Sequence, residues 1–149
     1  MFIIYRGKQF GFSIRTLFTL YVWFIRTSLE YAVPVWHPNL TAKHTAMLES
    51  IQRRCFRIFL GHNYDNYDTA LLALNTTSLE KRRIKLCYSF ARKVLKSNRH
   101  RNLLPPSFNQ VHGYATRRSA TSFPSVPSVH SRCTNSSVPY LVRLLNASN

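Results

Sequence analysis

Apolar positions at spacings of three and four dominate the first hundred residues. Over 14–33 the apolar set Leu17, Phe18, Tyr21, Phe24, Ile25, Leu29 and Ala32 predicts one face of a helix that Pro34 stops or bends. The two prolines of 33–38, Pro34 and Pro38, predict an extended connector anchored by Trp36. Thr41 is then expected as the N-cap of a helix whose apolar face is Met47, Leu48, Ile51, Cys55, Ile58 and Phe59, and Gly61 marks its end. The polar stretch 62–68 reads as a turn, with Asp68 capping a short helix through Ala70, Leu71, Leu72 and Leu74. Thr77 with Glu80 fits a capping box, opening a longer helix with Leu79, Leu86, Cys87, Phe90, Ala91, Val94 and Leu95 on one face. Beyond Pro105 and Pro106 the periodicity fades into a Ser- and Pro-rich stretch, 107–137, and the apolar run 138–145 is expected to dock back on the helices. The pattern implies a mainly α fold, a small bundle of three to four helices with an irregular C-terminal tail. It divides as an unassigned segment at 1–13, a helical region at 14–104 and the tail at 105–149.

Charge sharpens this picture. The chain of 149 residues carries 21 Lys and Arg against five acids, a net charge of +16, with no acid after Glu80. So strong a positive field attracts polyanions, nucleic acid before an anionic membrane or an acidic protein. The apolar run 17–25 lies between Arg15 and Arg26 and is far short of the ~20 residues a bilayer span requires. Three cysteines at irregular spacing (Cys55, Cys87, Cys133) suit neither a disulfide framework nor a zinc site and point to a reduced, intracellular chain. On that reading the sequons at Asn39, Asn75, Asn135 and Asn146 are chance.

Catalytic chemistry is hard to build from these residues. Two-metal phosphoryl transfer needs converging carboxylates, and the nearest cluster is Tyr64-Asp65-Asn66-Tyr67-Asp68, which lacks an adjacent acidic pair and reads as a loop. His112, His130 and Cys133 lack a fourth ligand partner, and Cys55 and Cys87 fall on apolar faces as buried thiols rather than nucleophiles. No glycine-rich phosphate loop is present, and no cofactor or small-molecule substrate is implied. The remaining signal is cationic helix faces. Arg53, Arg54 and Arg57 lie on one helix and Lys81, Arg82, Lys85, Arg92 and Lys93 on another, and they are the candidate phosphate contacts. Trp36, Tyr64, Tyr67 and Tyr88 are candidates to stack on bases, against the commoner fate of burial in a core.

The words of the sequence add a resemblance. Phe24-Ile25-Arg26-Thr27-Ser28-Leu29-Glu30-Tyr31-Ala32-Val33-Pro34-Val35-Trp36-His37-Pro38, followed by Leu48-Glu49-Ser50-Ile51-Gln52-Arg53-Arg54 and Arg57-Ile58, resembles the region downstream of the catalytic core in reverse transcriptases of non-LTR retrotransposons, the jockey-like LINE group. Ala70-Leu71, Leu79, Arg82-Arg83, Leu86-Cys87 and Phe90-Ala91 follow the same order, and Ser137-Val138-Pro139-Tyr140-Leu141 with Leu144-Leu145-Asn146 resembles the family's C-terminal end. The resemblance implies a thumb or post-thumb helical segment that supports an RNA-directed DNA polymerase and grips template and primer, DNA, RNA or their hybrid. It carries over no catalytic residue, because the palm aspartates have no counterpart in this sequence. The unmatched opening at Met1 implies a truncated reading frame, a gene-model fragment or a relic insertion. Nuclear residence follows from charge and resemblance together. The alternative is a structural segment whose partner is the polymerase body and which has no function of its own.

Overall fold

The computed structural model describes residues 2–108, 122–126 and 134–147 and is mainly helical. In chain order the helices are α1 (Phe2–Gln9), α2 (Ile14–Leu20), a π-helical stretch (Tyr21–Arg26), α3 (Thr27–Glu30), α4 (Val33–Trp36), α5 (Ala42–Leu60), α6 (Tyr67–Ala73), α7 (Leu79–Lys96) and α8 (Ser137–Ala147). They form two compact units, one of Met1–Tyr31 with Leu40–Arg82, the other of Ala32–Asn39 with Arg83–Asn149.

The first unit is built on α5. Thr41 Oγ1 accepts from the His44 amide at its start, and Gly61, at a positive φ of 56°, ends it. Its inward face buries Cys55, Phe56 and Phe59 against Ile4, Leu17, Tyr21 and Ala70. Lys8 reaches across to donate to the Phe59 carbonyl at 3.0 Å, satisfying one of the oxygens a helix C-terminus leaves unpaired. Gly7 is where α1 and α2 close together: a Cβ there would stand 2.9 Å from Leu17 Cδ2.

Several local expectations are corrected. The opening residues form α1. The 33–38 segment is helical rather than extended: Pro34 sits in the first turn of α4, where its missing N–H costs nothing, and a 3₁₀ turn follows over His37–Asn39. Phe24 is exposed, because the π-helical turns shift the register and bring Ile25 and Arg26 inward in its place. Asn66, not Asp68, caps α6 through a reciprocal pair with Thr69. At α7 the Lys81 amide donates to Ser78 Oγ rather than to Thr77, and the Glu80 amide is taken by the side chain of Glu49.

Glu49 and Gln52 are buried polar residues on α5, and they anchor a hydrogen-bonded network. Tyr21 Oη donates to Gln52 Oε1 at 2.7 Å, and Gln52 Nε2 donates to Tyr67 Oη at 3.0 Å and to the Thr77 carbonyl at 3.2 Å. Tyr67 Oη in turn donates to Glu49 Oε2, while Glu49 Oε1 accepts from the Glu80 amide at 2.7 Å. Each buried polar atom along this chain finds a partner, the condition under which such a network holds a core in one arrangement.

The second unit packs Cys87, Ala91 and Val94 of α7 against Leu141, Val142 and Leu145 of α8, with Val33, Leu104 and Phe123 completing the core. The expected docking of the C-terminal apolar run is therefore observed. Segment 122–126 is held to α8 by a two-way clamp, in which the Phe123 amide donates to Asn146 Oδ1 and Asn146 Nδ2 returns a bond to the Phe123 carbonyl. The rest of the predicted irregular stretch lies mostly outside the described residues.

Burial pushes both core thiols, Cys55 and Cys87, up to about 11 from an ordinary value of 9.0, partly offset by Arg54 near the first and Arg83 near the second. A raised acid pKa favours the folded state only while the thiol stays protonated. Their contribution is whole below about pH 9 and is lost as pH rises towards about 11. Alkylation followed by site-resolved mass spectrometry at pH 8 should leave both unmodified until denaturant is added; rapid native labelling of either would contradict the packing.

Candidate nucleic-acid interface

In the first unit, Arg53, Arg54 and Arg57 project from the side of α5 opposite its buried face, and all three are exposed. Two of them lie over aromatic rings. The Arg53 guanidinium lies 4.9 Å from the centroid of the Tyr67 ring and that of Arg57 lies 5.5 Å from Tyr64. Tyr67 is itself fixed by its hydrogen bonds and by stacking on Phe56 at 6.0 Å. A guanidinium held over a ring loses rotamer freedom in advance, which lowers the entropy cost of gripping a phosphate. Tyr64 and Tyr67 thus serve as supports for arginines, and each is half-buried, as is Trp36 against the core of the second unit.

The other two candidate cations of this unit are Lys81 and Arg82. Lys81 is exposed. Arg82 makes a two-pronged pair with Glu30, through Nε and through Nη2 at 3.0 Å, and Glu30 also lies 4.0 Å from Arg26. The hydrogen bond to Glu30 raises the Arg82 pKa, whereas burial and then the neighbouring Arg82 lower that of Arg26. Of the five candidate cations of the first unit, Arg82 is therefore committed inside the fold.

In the second unit, Lys85, Arg92 and Lys93 are exposed on α7, and Arg92 lies over the Tyr88 ring at 5.8 Å. With 3.6 residues per turn, Lys85, Arg92 and Lys96 fall within an arc of about 40° on the side away from Cys87, Ala91 and Val94. The division of the chain also segregates charge. All five acids belong to the first unit, beside ten Lys and Arg; among the described residues the second holds eight Lys and Arg and no Asp or Glu.

Two residues escaped the pattern reading. Arg83 lies on the apolar stripe of α7, four residues from Leu79 and from Cys87, and is 1% exposed, with Nε and Nη2 lacking a hydrogen-bond partner among the described residues. Only its place in the period signals it, since guanidinium cannot shed its charge on burial. Trp23, which the predicted apolar face of 14–33 leaves out, lies 70% exposed on the π-helical stretch.

Among the described residues no group of His, Cys, Asp and Glu converges as a metal site, and no helix is long and apolar enough to cross a membrane. Asp65 accepts from Asn66 Nδ2, within the loop and first turn ahead of α6. His112, His130 and Cys133 lie outside the described residues. The fold and these surfaces define a small, mainly helical, strongly basic protein. Comparison with protein-family models, curated proteins and solved structures finds no match.

Proposed function

We propose that this chain is a non-catalytic segment of the type found C-terminal to the polymerase core of non-LTR retrotransposon reverse transcriptases, and that it binds nucleic acid by its phosphate backbone. The observation that carries the binding is the charge of the second unit, eight cations among the described residues without one Asp or Glu to offset them. Arg53 and Arg57, each held over a tyrosine ring, add a pre-ordered contact on the first. Nucleic acid in or near the nucleus is the expected partner, together with the polymerase domains of an intact element.

Binding of this kind is governed by counterion release. If about five phosphates are neutralised on duplex DNA, the slope of log K against log salt is near −4.5, at ~0.9 per contact. Replacing Arg53 and Arg57 together with glutamine should reduce that slope by about 1.8 on the same rule. A salt titration with labelled duplex and RNA–DNA hybrid checks both figures, and a flat salt dependence would refute the proposal.

A second reading has its own support. Within the first unit Phe2, Phe10, Trp23, Tyr31 and Leu72 are each at least 70% exposed, apolar side chains that suit a segment made to lie against another domain. On that reading the isolated chain aggregates and shows no salt-sensitive binding.

A further inference from the structure

We infer that the outer face of α2 and the π-helical stretch is a stacking site for an unpaired base of single-stranded nucleic acid, with Trp23 as the platform and Arg15 as the phosphate contact. A groove of about 370 Å³ runs along this face, lined by Arg15, Thr16, Thr19, Leu20 and Trp23. It lies within the first unit, on a helix that carries none of the cations assigned to backbone binding. The inference rests on the proposed function only in taking nucleic acid as the ligand.

The groove's two ends are unspent. Trp23 has no ring or cation partner among the described residues, whereas Arg53, Arg57, Arg92 and Arg143 each cover a tyrosine. Arg15 is exposed and makes no side-chain hydrogen bond or ion pair among the described residues. Charge favours an anionic occupant, since no acid precedes Glu30 in the chain. Between the ends, Thr19 Oγ1 donates to the Arg15 carbonyl, so its oxygen presents lone pairs to the groove and can accept from a base N–H or a sugar hydroxyl.

These features select the ligand. A tryptophan face binds the flat surface of a base, and in a duplex those surfaces are already covered by neighbouring pairs. Arginine two helical turns away meets the backbone that carries the base. An anionic lipid surface is the other polyanion to consider, but a helix lying in a headgroup layer presents a continuous apolar face, and this one is interrupted by Arg15, Thr16 and Thr19.

The test uses the full chain with a short labelled oligothymidylate and a blunt duplex, comparing wild type, Trp23→Ala and Arg15→Gln. Trp23→Ala is expected to weaken oligothymidylate binding about tenfold, the usual worth of one base–aromatic stack, and to leave duplex binding unchanged. Circular dichroism of the variants checks that the fold is kept, as Trp23 is exposed. In a Trp36→Phe background the fluorescence of Trp23 should be quenched by oligothymidylate and not by duplex. Equal losses on both ligands, or none on oligothymidylate, would overturn the stacking site while leaving the backbone-binding proposal standing. Quenching or spectral shift with phosphatidylserine vesicles in place of oligothymidylate would overturn it in favour of lipid, and failure of wild type to bind either nucleic acid would remove both proposals.

Discussion

Replacement of Phe59 by alanine should destabilise the first unit by about 3–5 kcal/mol, the cost of deleting a buried phenyl ring and leaving part of its volume empty. Phe59 is fully buried, and its ring meets those of Phe18, Tyr21 and Phe56 with centroids 5.9–6.3 Å apart, two of them edge-on. Edge-on aromatic pairs contribute about 0.5–1.5 kcal/mol beyond the area they bury, so the loss falls towards the upper end of the range. Domains are stable by only about 5–15 kcal/mol in all, and a unit this small has little reserve. Denaturant unfolding followed by circular dichroism should show the helical signal lost at much lower urea. Leu72→Ala, at an 81% exposed position, is the control and should change stability by no more than about 0.5 kcal/mol. A Phe59→Ala variant as stable as that control would mean that this core is not packed as described.

Replacement of Glu49 by alanine should cost about 2–5 kcal/mol, because two donors, the Tyr67 hydroxyl and the Glu80 amide, lose their acceptor inside the fold at a cost of about 1–3 kcal/mol each. Glu49→Gln retains an acceptor oxygen and should cost less. The two partners can be separated by a double-mutant cycle with Tyr67→Phe, which should reveal coupling of about 0.5–3 kcal/mol. Burial, reinforced by its hydrogen bond to Glu49, raises the Tyr67 phenol far above its ordinary range, so the donor remains protonated wherever the fold is stable. Additive effects in the cycle would show that Glu49 and Tyr67 do not share a network.

Much of this fold can be read from residue order. The start of α5 at Thr41, its end at Gly61 and the inward face with Cys55 and Phe59 follow from a hydroxyl that can accept from an amide two to three residues on, a glycine that tolerates positive φ, and a period of 3.6. The buried thiols and the return of 138–145 to the helices follow from apolar patterning in the same way. At two helix starts, neighbouring residues compete to do the same local job. Asn66 and Asp68 can both cap α6, as Thr77 and Ser78 can both cap α7, and the choice depends on what packs around each. Glu49 caps α7 from 31 residues away, which no window on the sequence reveals.

The candidate interface was legible in part. The exposure of Arg53, Arg54 and Arg57 follows from their position opposite the apolar face of α5. That Arg82 is tied to Glu30 while Arg53 and Arg57 are braced on Tyr67 and Tyr64 depends on side chains brought together from distant segments.

The sequence by itself determined the helical class, the main helix faces and the excess of positive charge, because each rests on local period, on caps within a turn or on simple composition. Tertiary structure alone decided which cations are braced or neutralised, and turned Arg83 inward through the placing of helix faces. Those outcomes depend on how separate segments pack, and packing energies act between residues far apart along the chain.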